Sequence, residues 1–289
     1  MPSSCGSTMG SMKGFANARL LVTPKELSEM IAGAGAKRSL ILDLRPPEDY
    51  TQGHIPGAIH LDLWGISLID TDPAPLHAFL WIIEHLFATH GVMASTPAVV
   101  YDEQSGMRAA RAFWFLEYFG HPSARLLDGG YGAWTAAGYD VTRDAQPPPK
   151  SEWTGARQGH TLATYKEVRT AFDRTDAVIL DTRSDAEYRG TAVRAKRGGA
   201  IPGAVHIEWT RNLDPSGEFK RGDELRRMYQ DAGVTPEREI ITYCQGGYRA
   251  AHSYLALRLL GYPRVRVYVG SWKEWGDREE LPVEIPKRN

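Results

Sequence analysis

Cys244 stands in this chain where thiol chemistry is easy to arrange. It follows the apolar, β-branched run Ile240-Ile241-Thr242-Tyr243, whose pattern predicts a buried strand, and from Ala250 onward the apolar residues recur at helical spacing. The turn between them reads Gln245-Gly246-Gly247-Tyr248-Arg249. Two adjacent glycines let successive backbone N–H groups point at the sulfur, and a helix N-terminus brings partial positive charge to the same spot. Arg249 adds a full cation. Such a cradle favours an anion, so the thiol of Cys244 is expected to be acidified and nucleophilic near neutral pH. The plainer reading, a small buried hydrophobe at a strand end, does not account for the glycine pair followed by an arginine.

The elements that must position this turn occur twice. Leu40-Ile41-Leu42-Asp43-Leu44-Arg45 returns as Val178-Ile179-Leu180-Asp181-Thr182-Arg183, and Ile55-Pro56-Gly57-Ala58-Ile59-His60 returns as Ile201-Pro202-Gly203-Ala204-Val205-His206. The second copy carries eight extra residues around the basic stretch GTAVRAKRGG, read as a surface loop. Arg108-Ala109-Ala110 answers Arg249-Ala250-Ala251, and Gly129-Gly130-Tyr131 with Trp134 answers Gly270-Ser271-Trp272 with Trp275. Each copy alternates short apolar strands with helical stretches, which predicts an α/β fold of two domains, each an open, mainly parallel sheet flanked by helices. Thr23-Pro24-Lys25-Glu26 and Thr164-Tyr165-Lys166-Glu167 read as capping boxes opening the first helix of each copy. The expected division is a disordered leader over 1–18, a domain over 19–142, a Pro-rich linker over 143–160 and a domain over 161–289. Where copy two has Cys244, copy one has Asp102, with five residues rather than four before its arginine. Copy one thus lacks the nucleophile and is expected to serve as support and one wall of the site.

Composition sets the bounds. Of 289 residues, 34 are Lys or Arg and 35 Asp or Glu, a formal net charge of −1 that gives no electrostatic footprint for nucleic acid or an acidic membrane. Two cysteines, Cys5 and Cys244, make no disulfide framework and point to a reducing compartment. The stretch MPSSCGSTMGSMKG lacks the apolar core of a signal peptide, and no window approaches the ~20 apolar residues of a membrane span. The expected setting is cytoplasmic, with small molecules or protein partners.

With these motifs assembled, the chain from about Leu20 to Val283 resembles the tandem-domain rhodaneses, the thiosulfate and mercaptopyruvate sulfurtransferases, and within them the bacterial members with a six-residue loop ending in Arg. The carriers are Asp181-x-Arg183-x-x-x-Glu187-Tyr188, Gly199-Ala200-Ile201-Pro202-Gly203-Ala204, Cys244-Gln-Gly-Gly-Tyr-Arg249 and Gly270-Ser271-Trp272-Lys273-Glu274-Trp275-Gly276. The resemblance implies a five-stranded parallel sheet per domain and an inactive N-terminal copy, with Asp102 in place of cysteine. It implies covalent sulfur transfer, in which Cys244 takes sulfur from an anionic donor, holds it as a persulfide and passes it to cyanide or a thiol, a thiol protein included; no metal or organic cofactor is needed. Cys244 is the catalytic residue on this reading, and Gln245, Gly246, Gly247, Tyr248, Arg249 and Arg183 bind substrate. The chain departs from the family at Ala200, where a histidine is usual, and at Glu187, where mammalian members carry arginine.

Two further classes stay in view: a phosphatase or arsenate-reducing relative, and a sulfur-carrying module without turnover. Phosphatase loops place five residues between Cys and Arg; the four between Cys244 and Arg249 leave a tighter ring, suited to one sulfur atom. Thiosulfate is the expected donor over mercaptopyruvate, because Gly246 offers no hydroxyl for proton transfer and Arg249 suits a doubly charged oxyanion. Arg183 has a second reading, a structural pair with Asp181. His252, Trp272 and Trp275 read as packing residues, and Trp209 as a core residue or a pocket wall.

Overall fold

A computed structural model describes residues 12–33, 39–149, 151–152 and 155–287. In the first half, β1 (Leu21–Val22), α1 (Pro24–Ala32), β2 (Leu40–Asp43), α2 (Pro47–Gln52) and β3 (Ala58–His60) are followed by α3 (Pro73–Thr89), β4 (Ala98–Tyr101), α4 (Met107–Tyr118), β5 (Ala124–Leu127) and α5 (Gly130–Ala136). The second half repeats the order with β6 (Leu162–Ala163), α6 (Tyr165–Ala171), β7 (Ala177–Asp181), α7 (Asp185–Tyr188), β8 (Val205–His206), α8 (Gly222–Asp231), β9 (Glu239–Tyr243), α9 (Tyr248–Leu259), β10 (Val265–Tyr268) and α10 (Ser271–Asp277). The strands form two five-stranded sheets, ordered β1-β5-β4-β2-β3 and β6-β10-β9-β7-β8, with every pairing parallel. Helices cover both faces, so β2, β4 and β7 are buried along their whole length and read as continuous apolar runs without alternation. Both expected capping boxes form, at Thr23 with Glu26 and Thr164 with Glu167, and Ser184 makes a third with Glu187 at the start of α7.

Helices α4 and α9 are almost wholly buried, and one apolar core runs through the residues of both halves around them. A smaller cluster fills the outer face of each sheet. Polar contacts pin the junction. The Tyr254 hydroxyl donates to Glu117 at 2.6 Å, Arg258 reaches the same carboxylate at 2.8 Å, and buried Glu274 accepts from the Thr71 N–H at 2.6 Å. The stretch after the first half is laid against it: Ser151 donates to the Ala88 carbonyl, and Pro149 presses so close to Gly91 that a methyl there would come within 2.6 Å. Among the described residues no helix is long and apolar enough to cross a membrane.

The expected leader is too long. Cys5 and residues 1–11 lie outside the described residues, but the chain just after them is tightly held. Lys13 pairs with Asp128 at 2.7 Å and Glu218 at 2.6 Å, bridging the halves; Phe15 is 2% exposed in the shared core; and Asn17 bonds to the carbonyls of Arg258 and Leu259 at the end of α9. Composition alone does not reveal this, because one phenylalanine and one lysine in a Ser/Gly/Met-rich stretch carry no periodicity. Phe15→Ala should cost about 3 kcal/mol, as truncating a buried aromatic does. Urea unfolding of the full chain measures it, and a change below ~0.5 kcal/mol, typical of a surface site, would restore the reading of this segment as an unpacked leader.

Candidate functional site

Strand β9 lies at the centre of its sheet, and its C-terminal end opens into the turn that carries Cys244, the crevice where ligands bind in open parallel sheets. The residue is 1% exposed. Its thiol accepts the Gly247 N–H at 3.1 Å, and Gly247 sits at φ 91°, a left-handed conformation that turns the amide inward and suits glycine. Helix α9 begins at the next residue, so its first N–H groups, which have no intrahelical acceptors, lie at the same turn. The loop is clamped from behind by α10. The Cys244 N–H donates to the Ser271 hydroxyl at 3.2 Å, while the Cys244 and Gln245 carbonyls accept from Trp272 and Lys273 at 2.8 and 3.1 Å. Ser271 itself adopts φ 54°, a strained conformation for a residue with a side chain, held by a bond from its hydroxyl to the Tyr268 carbonyl at 2.8 Å.

The other loop residues divide. Gln245 spends its amide on the Arg194 carbonyl at 2.8 Å, tying the basic insertion to the loop. A methyl group on Gly246 would lie 3.2 Å from the Ser67 hydroxyl, so the cysteine-free half does abut the loop, as expected. Tyr248 was expected to bind substrate, but its side chain turns away. Its hydroxyl donates to the Leu63 carbonyl at 2.5 Å and its ring packs by Trp64. Arg249 is not the bare cation expected at the rim: Glu187 takes its fork with bonds of 2.6 and 2.9 Å. Burial favours the neutral acid, yet the pairing with Arg249 and the bonds to Ser184 hold the Glu187 pKa at about 2. Burial likewise opposes the charge of Arg249, while Glu187 and Cys244 together keep it protonated.

For Arg183 the structure shows the second expected reading, the pair with Asp181. It is 1% exposed, grips Asp181 through Nε and Nη2 at 2.5–3.0 Å, donates to the Gly199 carbonyl at 2.7 Å and stacks 4.4 Å from the centre of the Trp272 ring. Arg45 makes the same contacts with Asp43 and the Gly53 carbonyl in the half that has no cysteine. A feature kept where there is no nucleophile is scaffolding. Trp209 lines a cavity of about 250 Å³ beside Asp102, on the cysteine-free side, and meets His252 edge-on. His252, Trp272 and Trp275 are buried, as expected of packing residues.

Asp102 shows what this turn is built to hold. Its carboxylate accepts N–H groups from Gly106, Arg108 and Ala109 at 2.9–3.0 Å. Burial pushes its pKa up to about 6 against those bonds. The cradle of the first half is thus filled by its own side chain. Sequence reasoning missed Glu187 as the partner of Arg249, Ser271 as the brace of the loop and Ser67 as a wall, because each meets the loop through the fold and not through spacing.

A family model described as a rhodanese-like domain matches the chain twice, over residues 23–137 and 164–278. The chain is 34% identical over 279 residues to a thiosulfate sulfurtransferase of Pseudomonas aeruginosa, covering 95% of this chain and 100% of that protein. It is 35% identical over 275 residues to a thiosulfate sulfurtransferase of Azotobacter vinelandii, covering 95% and 100%. A sulfur carrier protein, TtuD of Thermus thermophilus, is 34% identical over 250 residues, covering 81% of this chain and 86% of that protein. Among solved structures, an anaerobic ergothioneine biosynthesis enzyme of Chlorobium limicola superposes with a TM-score of 0.83 at 23% identity, over 95% of this chain and 72% of that one, a likeness of fold.

The scaffolding role of Arg183 is testable against its counterpart. Arg183→Lys and Arg45→Lys keep the charge and lose the fork, and each should cost about 1–3 kcal/mol, the penalty for leaving a buried polar group unsatisfied. Denaturant unfolding of both variants reads this. If instead Arg183→Lys alone raises the KM for the sulfur donor, Arg183 binds substrate after all.

Proposed function

The chain belongs to the rhodanese family and is a sulfurtransferase; we propose that it moves the sulfane sulfur of thiosulfate to a thiophilic acceptor through a persulfide on Cys244. The thiolate attacks the outer sulfur of the donor, the S–S bond of thiosulfate breaks with its electron pair leaving on sulfite, and the sulfur remains on the enzyme as Cys–S–S⁻. Cyanide or a thiol then attacks that outer sulfur and returns the thiolate. One observation carries this reading: the Cys244 sulfur already accepts the Gly247 N–H inside a turn whose counterpart holds a carboxylate on three such groups. No general base is required, because thiolate and persulfide are both anions that the turn can hold.

Residues 161–289 form the catalytic half in this proposal, 19–142 the supporting half, and 143–160 the strap between them. The acceptor is a small thiophile or a protein thiol, the latter favoured by likeness to a sulfur carrier. The setting is cytoplasmic, as a persulfide survives in a compartment where thiols are not captured as structural disulfides. Four residues between Cys244 and Arg249 argue against a tetrahedral phosphoryl group in the ring.

Incubation with thiosulfate should raise the intact mass by one sulfur atom, and Cys244→Ala should abolish both the increment and turnover; sulfur uptake or turnover in that variant would sink the proposal. Donor choice follows from the ion pair beside the thiol. Removing the negative charge of Glu187 should help a dianion more than a monoanion, since Coulomb energy scales with charge: Glu187→Gln is expected to raise kcat/KM by roughly tenfold for thiosulfate and roughly threefold for 3-mercaptopyruvate. Equal gains for both, or a fall for both, would show that Glu187 only positions Arg249.

A further inference from the structure

Among the described residues three arginines lie almost wholly buried, and two of them, Arg45 and Arg183, sit against an aspartate. Arg111 is the exception. It is 0% exposed, comes from α4 of the cysteine-free half, and no carboxylate among the described residues pairs with it. Its Nη1 and Nη2 donate to the carbonyls of Leu63 and Ile66 at 3.3 and 2.6 Å, and its guanidinium stacks 3.9 Å from the centre of the Tyr248 ring. The remaining donor, Nε, is buried and has no hydrogen-bond partner among the described residues. It points towards the catalytic turn: a methyl group on Gly247 would lie 3.9 Å from it. Burial pulls the Arg111 pKa down, and the groups that oppose this are Tyr248 and Cys244. A buried, unpaired cation is costly unless an anion completes it, and Cys244 is the residue here that becomes one.

Internal symmetry separates this from ordinary packing. The match of Arg108-Ala109-Ala110 with Arg249-Ala250-Ala251 makes His252 the counterpart of Arg111. Each of these residues crosses the junction to the other half's cradle turn: Arg111 reaches Gly247, and His252 bonds to the Ser105 carbonyl at 2.8 Å. Burial lowers the His252 pKa to about 4, so it is neutral at physiological pH. The turn it faces already holds a fixed carboxylate on backbone donors. Among the described residues, the cysteine-bearing turn is the one that receives an arginine from across the interface.

We propose that Arg111, supplied by the half that lacks the cysteine, is the buried counter-charge of the Cys244 thiolate and of the persulfide that replaces it. It is a positioning residue, acting through the charge state of Cys244, and the proposal rests on Cys244 as the sulfur carrier. The charged groups around Cys244 are then Arg249 from α9 and Arg111 from α4, with Glu187 of α7 behind Arg249 and the Tyr248 ring stacked on Arg111. From α10, Ser271 and Trp272 are uncharged, and Lys273 meets the loop through its backbone N–H while its ammonium pairs with Asp277 at 2.6 Å.

The test reads Cys244 itself, so its outcome is independent of whether sulfur transfer proceeds. Full-length wild type, R111Q and R111K are alkylated with iodoacetamide across a pH series. The Cys244 peptide is followed by mass to separate it from Cys5, and circular dichroism reports folding. In R111Q the rate at pH 7 should fall roughly tenfold and the pH profile should move upward, as losing a nearby opposite charge requires; R111K should stay within about twofold of wild type. A purely structural arginine would alter stability in both variants and leave the profile in place. A folded R111Q with the wild-type profile, or R111K shifted as far as R111Q, overturns the proposal. Should R111Q not fold, R111K decides: it keeps the cation while losing the guanidinium fork, so its pH profile is expected to stay at the wild-type position even where its stability falls, and an upward shift of that profile overturns the proposal.

Discussion

A sulfur anion at a site 1% exposed to solvent cannot be stabilised by water, so the protein must supply its hydration shell in advance. That requirement organises the molecule. Backbone N–H groups converge where a strand stops and a helix begins, and a parallel sheet offers such a junction at the carboxyl end of each strand. Placing it on the central strand β9 buries it most deeply, with β10 and β7 on either side. The cost of that depth appears in the backbone. Gly247 and Ser271 both take left-handed conformations, one to aim an amide at the sulfur and the other to brace the loop from α10.

The two halves answer the same requirement differently. In the first, Asp102 fills the turn with a carboxylate that never leaves, and one more residue in the loop lets three backbone donors close around it. In the second, the turn is one residue shorter, and on the proposed reaction its anion would be made and consumed on the cysteine. A permanent anion can be balanced by permanent donors alone. A transient one needs neighbours that hold their own charge in both states, which Arg249 does by pairing with Glu187. Glu187 thus has a stabilising role beside the loop, and it lowers the net positive charge there.

Much of this was legible in the sequence, for identifiable reasons. The repeat, the parallel α/β class, the capping boxes at Thr23 and Thr164 and the strand–Cys–helix turn all rest on local chemistry: apolar runs, caps and glycines at fixed offsets. The unread parts are contacts between residues far apart in the chain. Nothing near Arg249 announces that Glu187 will take its fork. Nothing near Tyr248 announces that its hydroxyl will reach Leu63 in the other half. The Asp181-x-Arg183 motif fits both a substrate contact and a buried ion pair, and its twin Asp43-x-Arg45 stands in the half without a cysteine. The repeat, used to find the domains, could have been used to separate scaffold from site.

The same comparison explains why a half without a nucleophile stays attached to one that has it. Its helix α4 is packed against α9 in a continuous apolar core, and Glu117 and Thr71 lock the junction from two sides. Domains joined by small polar interfaces rock relative to each other, whereas an interface built as a core does not. The Ser67 hydroxyl next to Gly246, and the Leu63 carbonyl that anchors Tyr248, belong to the cysteine-free half. A shift of that half by the width of one atom would open the loop to water and loosen the ring that covers its flank. Rigid attachment is therefore part of the site: the cysteine and its amides come from one copy, the wall that keeps them dry from the other, and neither copy alone encloses the sulfur.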